Sequence, residues 1–197
     1  MQKSVEFFFD VGSPSAYLAW TQLPRIAAAA GASVIWRPML LGGVFKATGN
    51  VSPVMIAAKG RWLMQDLGRW AARYGVVFQP PANFPINTLA LMRGAAGIQL
   101  RQPHDLARYL GAVFEGIFAH GLALDDPAVV AQVLVDAGFE TENFLALTAD
   151  PQVKQALVAT TEEAVARGVF GAPSMFVGDE LHFGQDRLDF VAAALRN

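Results

Sequence analysis

Glu6-Phe7-Phe8-Phe9-Asp10-Val11-Gly12-Ser13-Pro14-Ser15-Ala16-Tyr17-Leu18 is the stretch that decides the fold. It opens as an apolar run with strand character, turns tightly at Val11-Gly12, and enters a helix at Ser13-Pro14. Serine suits the N-cap, and proline suits the first helical position, where an N–H has no partner in any case. Tyr17, Leu18, Trp20, Leu23 and Ile26 then recur at near-helical spacing, so the helix runs from about Pro14 to Ala30. Ser33 to Met39 reads as a second apolar strand. With the first strand at Ser4 to Phe9, these elements make a βαβ unit.

Beyond Gly42-Gly43 the pattern is helical for more than a hundred residues, with helices expected near 53–74, 86–101, 104–119, 127–137 and 151–167. Pro80-Pro81, Pro85, Pro103, Pro127 and Pro151 break it. Strand character returns at Ser174-Met175-Phe176-Val177, turns at Gly178-Asp179, runs back through Glu180-Leu181-His182-Phe183, and gives way to a last helix from about Asp186 to Leu195. The chain is therefore an α/β protein in which βαβ and ββα ends enclose an all-helical middle. We expect 1–42 and 168–197 to form one discontinuous domain, with 43–167 as a helical insertion packed on it to form a cleft.

A chain of 197 residues, 53% hydrophobic and only 16% charged, can bury a large core and keeps apolar surface for a ligand or a second copy. A homo-oligomer is expected. The net charge of -2 and the scatter of Lys and Arg give no field for nucleic acid. Met1-Gln2-Lys3-Ser4-Val5 lacks the apolar core of a signal peptide, and no apolar run nears the roughly 20 residues of a membrane span, so a soluble cytoplasmic protein is expected. There is no cysteine. Any sulfur chemistry must use a sulfur brought by a cofactor. His104, His120 and His182 show no spacing that marks a metal site or a base for Ser13, and each reads as structural.

Three short segments carry candidate chemistry. At the mouth of the first helix the Ser13 hydroxyl and unpaired backbone N–H groups converge on a place suited to an anion; equally, Ser13 reads as an ordinary N-cap. In Gly171-Ala172-Pro173-Ser174 a proline precedes a strand. Either Ala172-Pro173 is cis and turns the Ala172 N–H and C=O outward toward an extended peptide, or it is a plain trans proline at a strand start. Gly184-Gln185-Asp186-Arg187 opens the last helix with an amide and a carboxylate able to grip an amino-acid-like group, and Asp186 alternatively reads as an N-cap.

Phe8-Phe9-Asp10-x-x-Ser13-Pro14-x-x-Tyr17-Leu18, Gly49-Asn50-x-x-Pro53, Lys59, Asp66-Leu67, Phe170-Gly171-Ala172-Pro173 and Gly184-Gln185-Asp186-Arg187-Leu188 together resemble the 2-hydroxychromene-2-carboxylate isomerases, relatives of the kappa-class glutathione transferases. The resemblance runs from the first strand to the last helix. It implies a thioredoxin-like fold of the DsbA type, in which Ser13 stands where thioredoxin-like proteins keep Cys-x-x-Cys, usually as a homodimer that uses glutathione. It further implies that Ser13 hydrogen-bonds the glutathione sulfur and that Ala172, before Pro173, pairs with the cysteinyl backbone. Asn50 and Lys59 are implied as contacts from the insertion, Lys59 to a glutathione carboxylate. Gln185 and Asp186 are implied to hold the γ-glutamyl end. Related sequences commonly have Ser or Asn at Gln185, which changes the reach of that contact. Asp66 and Arg187 match the pattern as contacts or as supporting ion pairs, and Lys59 by itself also reads as a solvated helix lysine.

The reaction the resemblance implies is glutathione-dependent cis-trans isomerisation between 2-hydroxychromene-2-carboxylate and trans-o-hydroxybenzylidenepyruvate, in the breakdown of naphthalene-type aromatics. The small aromatic carboxylate is expected between Ser13 and the insertion, with Phe45, Trp62 or Phe84 as walls and Asn83 and Arg37 as polar contacts. Two alternatives use the same fold. One is a kappa-like glutathione transferase or peroxidase acting on another electrophile, and the other is a non-catalytic thioredoxin-like binding module.

Overall fold

The run Phe7-Phe8-Phe9 lies at the centre of the molecule because a strand paired on both edges has two faces to bury. In the computed structural model, which describes residues 3–196, β1 (Ser4–Phe9) pairs in parallel with β2 (Ser33–Pro38), from Ser4 opposite Ser33 to Phe9 opposite Pro38. On its other edge β1 pairs antiparallel with β3 (Ser174–Val177), Phe8 opposite Ser174. β3 turns back into β4 (Glu180–Phe183), which gives the strand order β2-β1-β3-β4. Phe7 and Phe9 share one face of the sheet, 5.4 Å apart and edge-on to Trp36, while Phe8 faces the other side against Phe176.

Helices cover both faces. α1 (Pro14–Ala29) and α9 (Leu188–Arg196) bury the Phe7 and Phe9 face under Leu18, Leu23, Val191 and Leu195. α2 (Leu41–Thr48) and α8 (Pro151–Ala166) cover the opposite face, where Val44 and Ala164 pack with Phe8 and Met39. At the edge of that face Arg167 lies 3.9 Å from the centre of the Phe176 ring and bonds Glu6 at 2.8 Å, while Arg37 pairs with both Glu6 and Glu163. The remaining helices are α3 (Ala57–Tyr74), α4 (Leu89–Arg101), α5 (Leu106–Phe118), α6 (Pro127–Asp136) and α7 (Thr141–Ala149). Tight 3-10 turns occur at Pro53–Met55, Pro103–Asp105 and Gln185–Arg187.

The departures from the expected helices have physical causes. α2 forms despite Gly42-Gly43 because its first N–H, from Leu41, is held by the Asp10 carboxylate at 2.8 Å. Gly43 also serves packing, since a Cβ there would meet the Thr161 side chain of α8 at 3.0 Å. α7 is too short to show a period and is fixed by Phe144, which stacks on Tyr109 at 6.2 Å. The helix expected over 53–74 is a 3-10 turn followed by α3, with Ile56 extended between them. α4 begins at Leu89 and not near 86, after Thr88 has turned its hydroxyl to Asp10.

Candidate active site

Ser13 is both cap and contact. Its N–H bonds the Asp10 carbonyl at 3.0 Å, and its Oγ accepts the Ala16 N–H at 3.1 Å, so the ordinary N-cap is present. The same hydroxyl donates to the Ala172 carbonyl at 3.1 Å, across 159 residues of chain. The Ala172–Pro173 bond is cis, as one of the two sequence readings had it. The hydroxyl points out of the helix mouth, where its single proton is engaged by the Ala172 carbonyl. Pro14 has no N–H, and Ala16 and Tyr17 give theirs to Ser13, so among the described residues the Ser15 N–H is the donor of the first turn left without a partner.

Beneath this turn lies Asp10, a fully buried carboxylate that the motif contains but to which the sequence assigns no task. Oδ1 accepts the Gly12 N–H at 2.9 Å and the Thr88 hydroxyl at 2.8 Å; Oδ2 accepts the Leu41 N–H at 2.8 Å. One side chain thus joins the Ser13 turn, the start of α2 and the start of α4. Burial pushes its pKa above the ordinary aspartate range, and the three hydrogen bonds pull it back only in part. Gly12 is required by closeness, because a Cβ there would lie 2.8 Å from the Thr88 methyl.

The Gln185–Arg187 turn is anchored on both sides. The Gly184 N–H bonds the Pro173 carbonyl at 3.0 Å, and the Tyr74 hydroxyl, from the end of α3, donates to the Gln185 carbonyl at 2.6 Å. Gly184 has φ +99°, which glycine alone adopts easily, and it leaves room for the Asp186 carboxylate to fold back. That carboxylate meets the Arg187 guanidinium at 2.6 Å; among the described residues no backbone N–H caps on it, so the alternative of Asp186 as an N-cap does not hold. Burial, then Asp186, push the Tyr74 phenol up to about 12, with Arg73 opposing and Asp189 adding.

The other expected residues divide. The Asn50 amide donates to the Phe170 carbonyl at 2.8 Å, which places it beside the loop that carries Ala172 and Pro173. Lys59 is exposed on the first turns of α3, and among the described residues no hydrogen bond or ion pair joins it to Ser13, Ala172 or Asp186. Gln185 is buried and engaged through its carbonyl, while Asp66 pairs with Arg69 at 3.5 Å along α3. Three expected substrate contacts are occupied elsewhere: Arg37 pairs with Glu6 and Glu163, the Asn83 amide bonds Asp125 at 2.9 Å, and Phe84 packs on Phe118. Trp62 is exposed and Phe45 half-buried. Of the histidines, His182 is buried on β4 and His104 lies at the surface beside Asp105. Among the described residues no group of three His, Cys, Asp or Glu side chains is placed to hold a metal ion.

A four-stranded sheet whose first helix is capped beside a cis-proline loop is matched by the sequence model of the DSBA-like thioredoxin domain over residues 4–196. The chain belongs to the DsbA-like thioredoxin family. Within it, the chain is 31% identical over 197 residues to a 2-hydroxychromene-2-carboxylate isomerase of Sphingobium xenophagum, covering 99% of both chains. It is 32% identical over 207 residues to glutathione S-transferase kappa 2 of Caenorhabditis elegans, covering 97% of this chain and 91% of that one. A solved 2-hydroxychromene-2-carboxylate isomerase superposes with a TM-score of 0.87 at 30% identity, over 98% of this chain and 94% of that one. This member of the DsbA-like family lacks cysteine altogether. No helix among its described residues is long and apolar enough to cross a membrane.

Proposed function

We propose that this DsbA-like protein is a glutathione-dependent isomerase that interconverts 2-hydroxychromene-2-carboxylate and trans-o-hydroxybenzylidenepyruvate. The observation that carries the reading is the Ser13 hydroxyl within hydrogen-bond reach of the Ala172 carbonyl, in a chain with no thiol of its own and with full-length relatives named for that isomerisation. When bound, glutathione supplies a thiolate that adds to the conjugated double bond, lets it rotate as a single bond, and leaves again.

The residues present fit that group. Ala172 offers its carbonyl to a peptide N–H, and a peptide N–H there releases the Ser13 proton, so the hydroxyl turns toward the sulfur without orphaning the carbonyl. The unpartnered Ser15 N–H and the α1 N-terminus add positive potential at the same place. Lowering a thiol from ~8.5 by about two units requires roughly 2.7 kcal/mol of preference for the anion. A helix N-terminus gives up to ~2 kcal/mol and a hydroxyl donor to an anion about 1.5–3 kcal/mol, so both together suffice. Asp186 turns from Arg187 to the γ-glutamyl ammonium, and the buried Gln185 and Pro173 fix the walls. Asn50 holds the loop through Phe170, and Lys59, on the exposed start of α3, reaches a glutathione carboxylate. Asp10 positions the turn and touches no substrate.

The assembly we propose is a cytoplasmic homodimer, because a reducing compartment keeps glutathione as the thiol and because Met55 and Trp62 are exposed on one segment. A second reading, a kappa-like transferase acting on another electrophile, is favoured by the 32% identity to the Caenorhabditis elegans kappa enzyme. Ultraviolet absorbance of 2-hydroxychromene-2-carboxylate with and without glutathione decides between them. Conversion that requires glutathione in catalytic amount supports the isomerase; consumption of glutathione with another electrophile, and no conversion, supports the transferase.

A further inference from the structure

Between α2, α4 and α8 lies a cavity of about 500 Å³. Its walls are mostly apolar, among them Leu40, Ala47, Leu89, Leu157, Val158 and Val165, and it shares no lining residue with the Ser13, Ala172 and Gln185 group. Three charged side chains line it: Arg93 on α4, and Lys154 and Glu162 on α8. α4 and α8 run antiparallel, since Arg101 bonds Asp150 and Gln152 while Gly97 sits against Val153. One turn before Gly97, Arg93 therefore faces α8 about one turn past Val153, near Leu157, between Lys154 and Glu162. Glu162 lies eight residues beyond Lys154 along α8, a rise of roughly 12 Å. Leu40, whose N–H bonds the Thr161 hydroxyl at 3.0 Å, lines the cavity beside Glu162.

Arg93 is half-buried and makes no ion pair or side-chain hydrogen bond among the described residues, although it also borders a second cavity of about 340 Å³. A half-buried guanidinium beside apolar walls and without a counter-ion is free to receive one, and an anion carried on an apolar body satisfies both the charge and the walls. With two cations, Arg93 and Lys154, against the one carboxylate of Glu162, the lining carries a net positive charge and favours a single negative charge. We propose that this cavity binds an apolar monocarboxylate, its carboxylate on Arg93 and Lys154 and its body along Leu89, Leu157 and Val165. The proposal rests on the cavity and not on the isomerase reading.

Calorimetry with 2-naphthoate and its neutral isostere 2-naphthamide tests it. The expected result is a saturable 2-naphthoate site weakened about tenfold in Arg93→Gln while 2-naphthamide affinity stays within about twofold. Arg93→Lys keeps most of the binding, and Ala47→Trp, which fills the cavity from α2, abolishes both ligands. Absence of saturable 2-naphthoate binding to the wild type, or equal 2-naphthoate affinity in Arg93→Gln, overturns the proposal; should Arg93→Gln fail to fold, unchanged binding in Ala47→Trp overturns it instead. Chromene carboxylate conversion measured on the same wild-type sample separates the two claims: binding without conversion defeats only the isomerase, and conversion without binding defeats only this site.

Discussion

Ser13 performs two tasks that substitution can pull apart. As N-cap it satisfies the Ala16 N–H, and as donor it reaches Ala172. Glycine is a tolerated N-cap and alanine is not, so Ser13→Ala loses about 1 kcal/mol of stability and Ser13→Gly only a few tenths. Both lack the hydroxyl, and both are expected to lose about 10- to 100-fold in isomerase kcat/KM, the factor that one donor to an anion supplies. Urea unfolding beside turnover separates cap from donor, and full activity in Ser13→Gly would show that the hydroxyl is only a cap. Asp10 makes a second prediction. Its pKa is raised by burial, so between the ordinary 3.8 and the raised value the folded chain binds more protons than the unfolded one. This group's contribution to stability therefore falls as pH rises through that window. Thr88→Val removes a donor that favours the charged form, so it is expected to cost about 1.5 kcal/mol near neutral pH and less once Asp10 is protonated. Unfolding free energies across the acid range check this, and a cost independent of pH would mean that Thr88 contributes only packing. The Ser13 cap was legible because strand, turn, serine and proline are neighbours in the chain. The Thr88 bond was not, because it joins residues 78 apart and Thr88 has no local signature.

At the scale of elements, the bond from Tyr74 to the Gln185 carbonyl ties α3 to the Gln185–Arg187 turn. Burial first pushes the phenol up to about 12 from the ordinary 10, so from 10 to 12 the folded chain holds more protons than the unfolded one and this group's contribution to stability falls as pH rises. Tyr74→Phe is expected to lose about 1 kcal/mol at neutral pH and to flatten this alkaline decline. An unchanged alkaline profile in the variant would place the decline elsewhere. Elements with strong period or punctuation were readable: α1, β1 to β4, α5 and α8 fall close to their expected positions. α2 escaped because its glycines look like breakers, yet one of them, Gly43, admits close approach to α8. Lys59 illustrates the limit at the site, since its motif position says nothing of whether α3 turns it toward Ser13.

On the scale of the whole molecule, Met55 and Trp62 are 75% and 59% exposed in a segment next to Asn50, and the proposed homodimer would cover them. Sedimentation equilibrium is expected to give twice the chain mass, and Trp62→Glu to shift the balance toward the chain mass; a wild-type monomer at every concentration would contradict the homodimer. Fold class and the order of the ββα end were legible because periodicity fixes them, whereas tertiary junctions such as the four-charge cluster of Glu6, Arg37, Glu163 and Arg167 exist only after folding and removed Arg37 from the expected substrate contacts. The absence of cysteine gives the most direct test of the whole reading, because in a protein–glutathione sample every thiolate belongs to glutathione. Thiolate absorbance of that complex should be titrated against pH in wild type and Ser13→Gly. The prediction is a bound thiol about two units below its free value of ~8.5 in the wild type, with most of that shift lost in the variant. A wild-type complex whose thiol titrates as it does free in solution would contradict the claim that this site holds a thiolate.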